Sequence, residues 1–169
     1  MADLKREQIL ARLATNMAAI RGPNYSMSDT ATTRVVRLKL VDDHRLLDQG
    51  LAQIIAISAS TDETHSERAC GVIAAQMEVF VLLLRQHGES SGHPFEIANE
   101  SPSEELVVNR MVQDFLKALW ADPTLGGLAR NVVNADGPGV SINRVFDQQG
   151  WAAAEARFQV DYDYLAGAP

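Results

Sequence analysis

A chain of 169 residues, 46% hydrophobic and 22% charged, has the size and balance of one globular domain spanning 1–169. No apolar run reaches the ~20 residues needed to cross a bilayer, and Lys5, Arg6, Glu7 and Arg12 interrupt what would have to be the apolar core of a signal peptide. The net charge of −7 is uneven, because residues 1–85 hold 10 Lys/Arg and 10 Asp/Glu while residues 86–169 hold 5 and 12, and such an acidic half argues against a grip on nucleic acid.

Residues 4–20 place Leu4, Ile9, Leu10, Leu13, Met17 and Ile20 on one face, and Gly22-Pro23 ends the pattern. The spacing predicts an amphipathic helix. The polar stretch 24–33 reads as a loop. Val35 to Val41 reads as a strand with Arg37 and Lys39 on its second face, broken by Asp42-Asp43-His44. Leu51 to Ile57 suits a buried strand, although a short apolar run fits a helix as well. Ser58 to Arg68, rich in hydroxyls and mixed charge, reads as part of an exposed loop over 58–70. Ile73 to Arg85 is apolar on both faces beyond Val79, so it should be the most central strand.

After a polar loop over 86–100, the best-specified element begins. Ser101-Pro102-Ser103-Glu104 combines an N-cap, a proline at the first helical position and a capping-box acid. Val108, Met111, Val112, Phe115, Leu116 and Leu119 then form one apolar face, with Asn109, Arg110, Gln113, Asp114 and Lys117 opposite. A helix over about 102–121 follows, stopped at Pro123 and reversed at Gly126-Gly127. Trp120 ends the apolar face and is expected in the core. Ala129 to Val133 should be a short strand, and 134–150 a loop containing Gly137-Pro138-Gly139. Trp151 opens the last strand as either a core residue or an interface anchor. From Ala154 to Tyr164 apolar and polar residues alternate, which describes a strand with one wet face. The order predicts a two-layer α+β domain, a mainly antiparallel sheet packed against two helices.

Signals for chemistry are weak. Cys70 is alone, so neither an internal disulfide nor a cysteine metal site can form within this sequence. His44 beside Asp42 and Asp43, and His65, His87 and His93 elsewhere, lack metal-ligand spacing. No phosphate loop or dinucleotide fingerprint occurs, Gly137-Pro138-Gly139 included. Glu104-Glu105 sits in a first helical turn, where the macrodipole accounts for acids. No catalytic, cofactor or metal residue is nominated. A small metal-dependent hydrolase using those histidines is the weakest alternative.

The stretch Ala121-Asp122-Pro123-Thr124-Leu125-Gly126-Gly127-Leu128, closing a helix and followed by a short strand, a loop and a strand ending Val160-x-Tyr162-x-Tyr164, resembles the tail terminator proteins of long-tailed bacteriophages and prophages. The specific part spans roughly 101–164; the opening helix and strands fit in outline, with enlarged loops at 24–33 and 58–70. The resemblance implies a virion structural protein rather than an enzyme. It would form a ring, usually a hexamer, that caps the tail tube, meets a neck or head-completion protein, and lets genome DNA pass without specific binding. It would need no cofactor and no membrane, and would assemble in the host cytoplasm. Asp122, Pro123, Gly126 and Gly127 are then expected to fix a turn. Gly137, Pro138, Gly139 and Trp151 are candidate interface residues, and a head-to-tail ring contact offers a way to pair exposed sheet edges. Another head–tail connector, such as a neck or tail-completion protein, is the nearest alternative.

Overall fold

The computed structural model describes residues 2–20, 25, 33–37, 53–86, 104–133, 140–146 and 151–166. Two helices, α1 (Ala2–Ala18) and α2 (Glu104–Trp120), pack on a six-stranded sheet formed by β1 (Thr33–Arg37), β2 (Gln53–Glu67), β3 (Val72–Gln86), β4 (Asn131–Val133), β5 (Ser141–Phe146) and β6 (Trp151–Leu165). The architecture is the expected two-layer α+β, with strand order β1-β2-β3-β6-β4. β3 is central, as its two apolar faces require. β1 runs parallel to β2, whereas β2, β4 and β5 join their neighbours antiparallel. β6 pairs with β3 along its whole length, from Trp151 opposite Gln86 to Leu165 opposite Val72. On its other side β5 takes the first half of β6 and β4 the second.

One face of the sheet carries the core. Ile55 and Ile57 of β2, Met77, Val79, Val81 and Leu83 of β3, and Ala154, Ala156, Phe158, Val160 and Tyr162 of β6 are buried there. Ile9, Leu13 and Met17 of α1 and Val108, Met111, Val112, Phe115 and Leu119 of α2 meet them. Phe115 and Phe158 lie 6.3 Å apart between ring centroids, tilted by 42°. Full burial of one such side chain stabilises by about 1.5–3 kcal/mol. The run of alanines in β6 leaves room for the helices to settle close to the sheet.

Several expectations are corrected. Residues 58–67 are strand, not loop: β2 runs to Glu67 and turns through one 3-10 turn at Ala69–Gly71 into β3. Its register shifts between Ala59 and Glu63, a bulge that breaks the alternation a sequence pattern would reveal. Ser141–Phe146, placed in the 134–150 loop, is β5, held by the ladder to β6. Leu4 and Trp120, both assigned to apolar faces, are 58% and 44% exposed. Asp114, assigned to the wet side, is 3% exposed. The sheet face away from the helices is also less wet than expected, since Ile54, Ala56, Leu84 and Ala153 are buried on it. Of the loops expected over 24–33 and 86–100, Thr33 and Gln86 are strand residues, and the rest, other than Tyr25, lie outside the described residues.

Candidate functional site

The junction after α2 gathers the residues that carry the sequence motif. Past Trp120 the backbone closes two turns, with the Leu125 N–H on the Asp122 carbonyl at 3.0 Å and the Ala129 N–H on the Thr124 carbonyl at 2.9 Å. Leu125, Gly126 and Gly127 take φ of 51°, 69° and 82°. That left-handed run suits glycine and strains leucine. Leu125 adopts it because its side chain is fully buried in the core. Pro123 is exposed.

Asp122 ties this turn to α1. Its Oδ1 accepts the Gly126 N–H at 2.7 Å, and its Oδ2 accepts Arg12 Nε at 2.8 Å and Asn16 Nδ2 at 3.1 Å. Burial works to raise the carboxyl pKa. The Gly126 amide, Arg12 and Asn16 together outweigh that and hold it below the usual carboxylate value, because all three favour the charged form. One carboxylate therefore fixes a turn and two helices at once.

Of the other nominated residues, Trp151 opens β6 opposite Gln86, and its side chain is outside the description. Gly137, Pro138 and Gly139 lie outside the described residues, as do His44, His87 and His93. His65 is on β2. Its Nε2 lies 3.4 Å from Glu63 Oε2, and its Nδ1 is 3.3 Å from the Tyr164 hydroxyl.

That histidine belongs to a polar cluster that the sequence reading missed. Arg6 of α1 donates to the carbonyl oxygens of Ala59 and Ser60 at the β2 bulge, and its Nη1 sits 3.3 Å from Glu63 Oε1. The Tyr162 hydroxyl is buried beside it without a well-aligned hydrogen bond. Burial pushes the Tyr162 pKa up, and the Glu63 carboxylate pushes it further. The cluster clamps an irregular strand to a helix, and only the bulge makes its members neighbours. A second buried polar set, Gln53, Arg85 and Asp114, also went unread. Arg85 Nη1 donates to Gln53 Oε1 at 3.2 Å. Gln53 and Asp114 line a cavity of about 10 Å³ with Ile20 and Met111, enough for one water and no substrate. A signal existed for Asp114: it falls between Met111 and Ala118 at helical spacing, inside the apolar arc.

Among the described residues no group of three His, Cys, Asp or Glu side chains is placed to hold a metal ion, and no helix is long and apolar enough to cross a membrane. Compared with known proteins, the chain matches no family model and no curated protein.

Proposed function

We propose that this chain is a structural virion protein, a tail-terminator-like subunit whose ring caps the tail tube and joins it to the capsid neck. The observation that carries the reading is the Asp122–Gly127 junction. The residues on which the resemblance to tail terminators rests are the ones that lock α1, α2 and the core together, so the motif belongs to the framework of the fold. The order of elements, an opening helix followed by strands, fits that family's outline and supports it further. In this role the protein works by recognition: it binds further copies of itself, the tube protein on one side and a neck or head-completion protein on the other.

Native mass measurement of the free protein, alone and with purified tail tubes, tests the proposal. A ring of about six copies that forms in solution or on tube ends supports it. A protein that stays monomeric and ignores tubes overturns it, and a ring that binds the portal side but not the tube makes it a different connector. Stoichiometric zinc or manganese in the purified protein would turn the reading towards a hydrolase. The acidic second half would line the channel and keep passing DNA from adhering; an acidic outer rim around a neutral or basic bore would defeat that part.

A further inference from the structure

β2 outruns its neighbour. β1 joins it only from Gln53 to Ile57, whereas β2 continues to Glu67. Among the described residues no further strand lies along that side, and Thr61, Thr64, His65, Ser66 and Glu67 are exposed. A sheet edge of this kind is a template on which a strand of another chain can pair. The bulge and α1 stand in the way. Successive carbonyls of a regular strand point to opposite sides of it, so one donor cannot serve two neighbours in sequence. Here the register shifts between Ala59 and Glu63, and Arg6 Nη2 donates to both the Ala59 and the Ser60 oxygens. Arg6 Nη1 lies 3.3 Å from Oε1 of Glu63, whose side chain is only 9% exposed. A bulge, an inward-pointing charge and a covering helix are three devices by which sheets block edge pairing. One arginine holds all three together.

The guarded segment matches a second copy of itself. Antiparallel pairing centred on Thr64 sets Glu63 opposite the neighbour's His65, and this occurs twice by symmetry. Thr61 then faces Glu67, and Asp62 faces Ser66. Directly opposed residues in such a pair attract when their charges differ and repel when they agree, and in this register no two acids meet. Moving the centre to Glu63 opposes Glu63 with itself, and moving it to His65 opposes Glu63 with Glu67. One register is therefore favoured over its neighbours, and in it Glu63 would exchange Arg6 for a second histidine.

We propose that Arg6 is an autoinhibitory contact: by fixing the bulge and holding Glu63 inward, it keeps Thr61–Glu67 from pairing with the same segment of a second copy. The guard operates whether or not the protein builds a ring, and it leaves any assembly to other surfaces.

The test follows hydrogen exchange of Ser60–Glu67 and light scattering across a range of protein concentrations, in wild type, Arg6→Met and Arg6→Met/His65→Glu. Circular dichroism and melting temperature establish that each is folded. Wild-type exchange in this segment should not depend on concentration. In Arg6→Met the loosened segment should exchange faster than wild type when dilute. On concentrating, it should slow by about tenfold or more, as a second strand protects it and the scattering mass rises. Adding His65→Glu sets acid against acid at the favoured register, so both concentration effects should vanish. Arg6→Lys keeps a cation beside Glu63 but cannot fork to two carbonyls, and it should fall between wild type and Arg6→Met; it carries the test if the methionine variant does not fold. The proposal is overturned if removing Arg6 leaves exchange in Ser60–Glu67 independent of concentration, if His65→Glu changes nothing in that background, or if wild type already shows concentration-dependent protection there. A wild type that never exceeds a monomer defeats the ring reading and leaves this one standing.

Discussion

Asp122 makes three hydrogen bonds with two oxygens, two of them to side chains of α1 and one to the backbone of its own turn. Asp122→Ala should lower stability by about 1.5–3 kcal/mol, the range for hydrogen bonds to a charged group, measured by urea unfolding. Its folded-state pKa lies below the unfolded one. The stability it contributes is therefore complete above about pH 4 and is lost as pH falls through the depressed value; Asp122→Asn should flatten that acid limb. A Cβ on Gly127 meets nothing within 4 Å, and one on Gly126 only touches the flexible end of Arg12, with Nε at 3.4 Å. Gly126→Ala and Gly127→Ala should therefore each cost about 1–2 kcal/mol, set by the positive φ alone. With valine at either position, folding should be impaired before any assembly step is. A soluble, fully folded Val variant that fails only to assemble would reverse that order. Tyr162 offers the opposite sign: because its buried hydroxyl lacks a well-aligned partner, Tyr162→Phe should be neutral or stabilising. Its raised pKa also means that wild-type stability falls as pH rises past about 10, where the unfolded phenol ionises and the buried one does not. The phenylalanine variant should lack that alkaline decline.

At the scale of elements, α2 and β6 were legible because each repeats a clean pattern over many residues, 3.6 in one and 2 in the other. β2 was legible only as far as Ile57. Beyond it the register shift at Ala59/Glu63 interrupts the alternation, and Thr64, His65 and Ser66 are exposed. The strand persists there because β3 supplies the ladder and Arg6 holds the bulge, neither of which a local pattern records. β5 escaped for the same reason, since its partner β6 defines it. The candidate site divides likewise. The turn at Asp122–Gly127 was readable because proline and paired glycines have local conformational meaning. The exposure of Trp120 depends on where the helix axis lies over the sheet. Arg6→Met should keep the apolar stem of the side chain while removing its hydrogen bonds to Ala59 and Ser60. Hydrogen exchange should then quicken in Ser60–Glu67 and stay unchanged in the Gln53–Ile57 ladder.

For the whole molecule, the decisive fact is where β6 sits. It bridges β3 on one side and both β4 and β5 on the other, and it contributes Phe158, Val160 and Tyr162 to the centre of the core. The sheet therefore has no independent half that is complete without residues 151–165. On a ribosome, the helices and first three strands emerge with their apolar face uncovered and must wait for the closing ribbon to appear. A chain cut short before Trp151 should leave the apolar faces of β3 and the two helices partly uncovered. Copies that lack residues 151–165 would therefore leave the core incomplete, and only full-length copies would be competent for any assembly step.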